Sequence, residues 1–217
     1  MAADTPTLAE GYRRVAEWLA ARAHPHRPVW LEQPARTVPE AAAALGVERG
    51  QVAKSVVFRH LADERAVLVV TSGDKRVDEK KVAALVGPLG RADAAFVKAA
   101  TGFSIGGVSP VAHLHPSITL IDRELFRYER LWAAAGHPNG IFQLSPSQLA
   151  ALTGAPVADV VQAVTSPCTD VCKIDPDSGW CLGCARSRDE IARWSGMDDD
   201  QRRALLAVLA QRRPGPA

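Results

Sequence analysis

One lysine, Lys54, interrupts an otherwise apolar run, Val52-Ala53-Lys54-Ser55-Val56-Val57-Phe58. A cation in that setting either snorkels to water from a strand end or stands at a pocket mouth to meet an anionic group. A second segment, Gly106-Gly107-Val108-Ser109-Pro110, joins two glycines to a stiffening proline. It is either a tight turn or a stretch of main chain open enough to grip a ligand through N–H and C=O groups. The third feature is Cys168-x3-Cys172-x8-Cys181-x2-Cys184, which holds all four cysteines of the chain. Four thiolates in one short segment suit tetrahedral zinc or an iron–sulfur cluster. A closed four-cysteine shell leaves no open position, so that site is expected to be structural rather than hydrolytic.

The chain has no phosphate-binding loop and no dinucleotide fingerprint, and its Ser, His and Asp residues show no triad spacing. The formal net charge of +2 does not mark a nucleic-acid binder, so any RNA contact must gather basic residues on one face. Lys75, Arg76, Lys80 and Lys81 are either solvated or a phosphate-facing rim. The 47% hydrophobic and 23% charged shares are those of a folded soluble protein. No run approaches the roughly 20 apolar residues of a membrane span, and Met1 to Glu10 lacks the features of a leader. A cytoplasmic protein with no membrane partner is expected.

These residues need elements to hold them. Leu8, Tyr12, Val15, Trp18 and Leu19 form a helical stripe, predicting a helix from Leu8 to about Arg22. Val29 to Leu31 reads as a short strand. Thr37 can cap a helix that ends at Gly46. Ser55–Arg59 and Ala66–Thr71 read as paired strands, the second apolar on both faces as in a central strand. Helices are expected from Asp78 to Val86, from Asp93 to Ala100 and from Ser145-Pro146 to Leu152. Strands are expected over Ile118–Ile121 and Gly140–Leu144. Strands and helices interleave without a βαβ rhythm, so the predicted class is α+β with a mixed sheet and surrounding helices, plus a small C-terminal four-cysteine helical module. The joint falls at Thr165-Ser166-Pro167, giving domains 1–165 and 166–213. The last five residues, Arg213 to Ala217, read as a frayed tail.

The segments "GQVAKSVVF", "VLVVTSGDKRVDEKKVAALVG", "ADAAFVKAATGFSIGGVSPVAH" and "WAAAGHPNGIFQLSPSQLAALTGAPVADV" occur in order. From about Thr37 to Val161 the chain resembles the YbaK/ProX-like aminoacyl-tRNA deacylases, relatives of the editing domain inserted in bacterial prolyl-tRNA synthetases. Their two marks, a strand-opening lysine and a Gly-x-x-x-Pro loop, fall here on Lys54 and on Gly106 to Pro110. The resemblance implies hydrolysis of a wrong, small amino acid from the terminal adenosine of a tRNA, usually tRNA for proline. It implies attack by water without a protein nucleophile and without a cofactor. Lys54, Gly106, Gly107 and Asp122 are the implied catalytic group. Thr37, Ser72, Gly73, Phe103, Val108, Ser109, Pro110 and His113 are the implied substrate contacts. Asp122 has a second reading as a cap for the segment starting at Arg123, and His113 and His115 have second readings as ordinary surface histidines. The implied partners are the aminoacyl-tRNA acceptor end and prolyl-tRNA synthetase. A pocket can exclude a side chain by size but gains only about 1–3 kcal/mol per methylene, hence the expectation of a small residue.

The C-terminal segment, "SPCTDVC…GWCLGCARSRDEIARWSG", resembles a small bacterial domain of unknown function with the pattern C-x3-C…C-x2-C-x-R and D-E-I-x-x-W. Ile191, Trp194, Met197, Leu205 and Leu209 are its expected packing residues. So small a core needs help, and metal would supply it. Two other functions fit the sequence: a binder of aminoacyl-tRNA without turnover, and a redox or docking protein centred on the cysteines.

Overall fold

The computed structural model describes residues 9–212. Leu8, the expected helix start, and the tail from Arg213 lie outside the described residues. The chain divides into a unit ending at Val161 and a unit beginning at Gln162.

The first unit is α+β, built on one mixed sheet. The strands are β1 (Val29–Trp30), β2 (Val52–His60), β3 (Ala66–Ser72), β4 (Leu89–Arg91), β5 (Ile118–Asp122), β6 (Leu131–Ala134), β7 (Gly140–Leu144) and β8 (Val157–Ala158). Their order is β1-β7-β6-β2-β3-β5-β8, with β4 also pairing β2. The helices are α1 (Glu10–Ala20), α2 (Val38–Leu45), α3 (Glu79–Val86), α4 (Ala94–Thr101) and α5 (Pro146–Thr153).

Local chemistry sets the boundaries. Thr37 and Glu40 form a capping box at the start of α2, and Gly46 ends it at φ 64°. Asp78 caps α3, Asp93 caps α4, and a Ser145–Gln148 capping box opens α5. β3 is buried along its whole length, as its continuous apolar run predicts. One core packs Val15 and Leu19 of α1 against Leu68, Val70, Phe103, Leu131 and Phe142. The other sheet face carries a smaller cluster around Val67, Val69 and Val82. A third cluster joins Ala41 and Ala42 of α2 to Val52 and Ile141.

Sequence reading did not find β4, β6 or β8. β6 reads Leu-Trp-Ala-Ala, and alanine has weak strand propensity. Its pairing with both β2 and β7 imposes the strand.

In the second unit, α6 (Arg188–Arg193) and α7 (Asp199–Arg212) follow a loop segment containing the cysteines. Leu205 and Leu209 pack with Ala185, Trp194 and Met197, while Ile191 is exposed. Glu190 pairs with Arg212 at 2.7 and 2.9 Å. Among the described residues, no helix is long and apolar enough to cross a membrane.

Candidate active site

β2 brings Lys54 into the wall of a cavity of about 370 Å³, and the Gly106 loop forms another part of that wall. Lys54 does not stand free. Its Nζ donates to the carbonyls of Gly73 at 3.2 Å and Lys75 at 2.5 Å. Those carbonyls belong to the turn after β3, which is held by a buried polar cluster. Asp74 is 2% exposed and bonded to Arg127 and Ser72. Burial alone would raise the Asp74 pKa, but the Arg127 and Ser72 bonds outweigh it and hold the carboxyl below its usual range. Lys75 is buried against Glu124 at 3.2 Å, and Lys81 is tied to Asp159 and the Val161 carbonyl. Two of the four rim cations are thus already engaged, whereas Arg76 and Lys80 are exposed.

The loop opposite is a turn in which Gly107 N–H donates to the Ser104 carbonyl at 3.0 Å. Gly106 sits at φ 89°, where a side chain would be strained. Gly107 answers a different need. A Cβ there would lie 2.7 Å from the His137 carbonyl carbon, so two main chains meet with no room for a methyl group.

Of the implied residues, Lys54, Gly106, Val108 and Thr37 line the cavity. Thr37 also caps α2, its hydroxyl accepting from Glu40 N–H. Ser72, Gly73, Phe103, Gly107, Ser109 and Asp122 do not line it. Ser72 and Gly73 support it from behind, in the turn that receives Lys54. Phe103 is core. Pro110 and His113 line a second cavity of about 460 Å³. His113 Nε2 bonds the Ser109 carbonyl at 2.7 Å, which ties the far end of the loop. Burial lowers the His113 pKa. Asp122 is fully buried, and its carboxylate accepts from Thr71 Oγ1 at 2.6 Å and from Glu124 N–H at 3.1 Å. The capping reading describes this geometry, and burial raises the Asp122 pKa.

Three polar residues of the cavity lining, Arg36, Ser55 and His137, are not among the residues the sequence pointed to. Arg36 is exposed and adjoins Gly106. His137 stacks on Trp30 with ring centroids 4.8 Å apart. Asn139 N–H donates to its Nδ1 at 3.1 Å, so the neutral ring carries its proton on Nε2 and offers a donor there. Burial and then the charge of Arg36 lower its pKa. The His137-Pro138-Asn139-Gly140 string was a legible turn signal, but only β6 and β7 together carry it to the cavity.

In the second unit, Cys168 and Cys172 are exposed, and Cys181 and Cys184 are buried. Cys172 neighbours both Cys168 and Cys181, and Cys181 neighbours Cys184. Arg186 Nε donates to Cys184 Sγ at 3.3 Å. Among the described residues, no group of three or more His, Cys, Asp or Glu side chains is arranged to hold a metal ion.

This fold, with its lysine and glycine loop on one cavity, coincides with the aminoacyl-tRNA editing domain family, which matches residues 32–152. The chain belongs to that family. Residues 166–213 match a family described as proteins of unknown function, DUF1289. The chain is 42% identical to a solved structure described as a candidate trans-editing enzyme for prolyl tRNA synthetase, with a TM-score of 0.67 over 72% of this chain and 100% of that one. It is 36% identical to hypothetical protein APE2540, with a TM-score of 0.65 over 69% of this chain and 99% of that one. Protein YwhH of Bacillus subtilis (strain 168) is 33% identical over 120 residues, 55% of this chain and 76% of its own length. Protein YdhL of Escherichia coli (strain K12) is 43% identical over 49 residues, 23% of this chain and 61% of its own length.

Proposed function

We propose that the protein is a freestanding deacylase that hydrolyses a small amino acid from the acceptor end of a mischarged tRNA, tRNA for proline being the first candidate. The observation that carries this reading is the shared cavity of Lys54 and the Gly106–Val108 main chain. Ser55, the serine in its lining, has no hydrogen-bond partner to activate it as a nucleophile. An aminoacyl ester is already activated, so orientation of a water and a few fixed dipoles suffice. In this reading Lys54 stiffens the cavity wall through the Gly73 and Lys75 carbonyls and adds positive potential. Arg36 meets the tRNA phosphates, and prolyl-tRNA synthetase is the candidate partner. The test is a deacylation panel of mischarged tRNAs with wild type and Lys54→Ala. Release of a small amino acid, slowed at least about 100-fold in the variant, supports the reading. Binding without turnover across the panel overturns it.

The four cysteines are proposed to hold a structural zinc ion or an iron–sulfur cluster. The donor set, four soft sulfurs with Arg186 beside Cys184, fits a thiophilic metal. Bound metal would cross-link the segment from Cys168 to Cys184 and leave hydrolysis to the other unit. Elemental analysis of anaerobically purified protein tests this. Colourless protein with stoichiometric zinc, or brown protein with iron and sulfide, supports it; metal-free folded protein overturns it.

A further inference from the structure

The strand that carries Lys54 changes partner along one side. β2 starts parallel to β6, with Val52 opposite Trp132 and Ala53 opposite Ala133. It ends antiparallel to β4, from Phe58 opposite Arg91 to His60 opposite Leu89. Between these, residues 54–57 face no strand on that side, and all four line the cavity. On its other side, β2 pairs with β3 without a break from Ala53 to Arg59.

Two bonds fix the phase of the ladder. His60 N–H donates to Arg65 O at 2.9 Å on the β3 side, and Leu61 N–H donates to Pro88 O at 3.0 Å on the β4 side. Successive residues of an antiparallel strand send both main-chain groups to alternate sides. Lys54 and Val56 therefore bond toward β3. Ser55 and Val57 point into the gap, which presents the Ser55 carbonyl and the Val57 N–H to the cavity.

A carbonyl at one position and an N–H two positions later are the two groups that a single residue of a parallel strand engages. That residue donates its own N–H to the first and accepts at its own C=O from the second. An aminoacyl ester has one such pair, an α-ammonium and a carbonyl. We propose that the open edge of β2 is the aminoacyl subsite. The α-ammonium donates to the Ser55 carbonyl, the acyl oxygen accepts from Val57 N–H, and the amino acid takes the place where β6 would have continued. Its side chain then lies opposite Val56, on the strand face shared with Val52 and Lys54. A separate observation supports a polar ligand here: Ser55 Oγ is buried without a partner, and such orphans are rare in native proteins.

This inference rests on the deacylase reading but is tested apart from it. Amide exchange is followed by NMR on the full chain, with and without 3′-alanylamido-3′-deoxyadenosine, an uncleavable mimic of the charged tRNA end. In the free protein, the Ser55 and Val57 amides exchange at least about tenfold faster than those of Lys54 and Val56. The mimic slows Val57 at least about tenfold. Protection confined to Gly106 and Gly107, or none at all, overturns the subsite while leaving the deacylation panel to judge the activity. N-acetylation of the aminoacyl-tRNA, which removes the charged donor, lowers kcat/KM at least about tenfold; equal hydrolysis overturns the proposal. Ser55→Ala removes an unpartnered hydroxyl, so it folds at least as stably as wild type. A melting temperature below wild type would show that Oγ is bonded within the protein and would remove the second support.

Discussion

Replacing Lys54 with methionine keeps most of the side-chain volume and removes the ammonium. Two acceptors then lose their donor, the carbonyls of Gly73 and Lys75. A hydrogen bond from a charged group contributes about 1.5–3 kcal/mol. Lys54 is only partly buried, so water can replace some of this, and the expected loss is about 1–3 kcal/mol for the pair. In a chain of this size each kcal/mol lowers Tm by about 2–4 °C, giving a decrease of about 2–12 °C. Differential scanning calorimetry reads it. Deacylation falls at least about 100-fold, and Lys54→Arg restores neither stability nor activity in full, because a planar fork cannot hold both carbonyls as a compact ammonium does. An inactive Lys54→Met protein with an unchanged Tm would refute the reasoning. It would mean that the ammonium is free for substrate and that the wall stands without it.

Gly107→Ala places a methyl group against the His137 main chain. The loop must back away, at a stability loss of about 1–3 kcal/mol, and kcat/KM falls at least about tenfold, read by urea denaturation and deacylation together. Arg36→Ala raises KM for aminoacyl-tRNA about tenfold with kcat unchanged, and the slope of log(kcat/KM) against log[salt] becomes shallower by about 0.7; an aminoacyl ester without phosphates shows neither effect. His113 has a folded pKa below its unfolded value because burial disfavours the charged ring. The unfolded chain then binds the extra proton, so stability is complete above about pH 6.5 and declines as pH falls below it. The decline attributable to His113, by at most about 1.4 kcal/mol per pH unit, disappears in His113→Gln, as urea titrations at several pH values will show.

Local signals carried most of the fold. The caps at Thr37, Asp78, Asp93 and Ser145 and the left-handed stops at Gly46, Gly102 and Gly154 lie where the residue types put them. The buried run of β3 was equally plain. β6 was illegible because its alanines become strand only through neighbours distant in sequence. The site divided in the same way. Lys54 and Gly106 were readable as an odd charge and an odd flexibility. Phe103, Asp122 and Ser109 were implied by the family resemblance, yet each is fully buried. Arg36 and His137 carry no local oddity, and only the meeting of the α2 entrance with the β6–β7 turn brings them to the cavity.

The interruption beside β2 differs from the outer margin of a sheet. Four residues of extended chain span about 13 Å, and here both ends of that span are closed by β6 and β4. Such a slot cannot template an incoming strand, so it carries none of the aggregation hazard of an exposed margin. It also limits what can enter by length. Under the proposed function, a nascent peptide still joined to its tRNA would have to continue past the slot and would collide with the flanking strands, so deacylation would be confined to single residues.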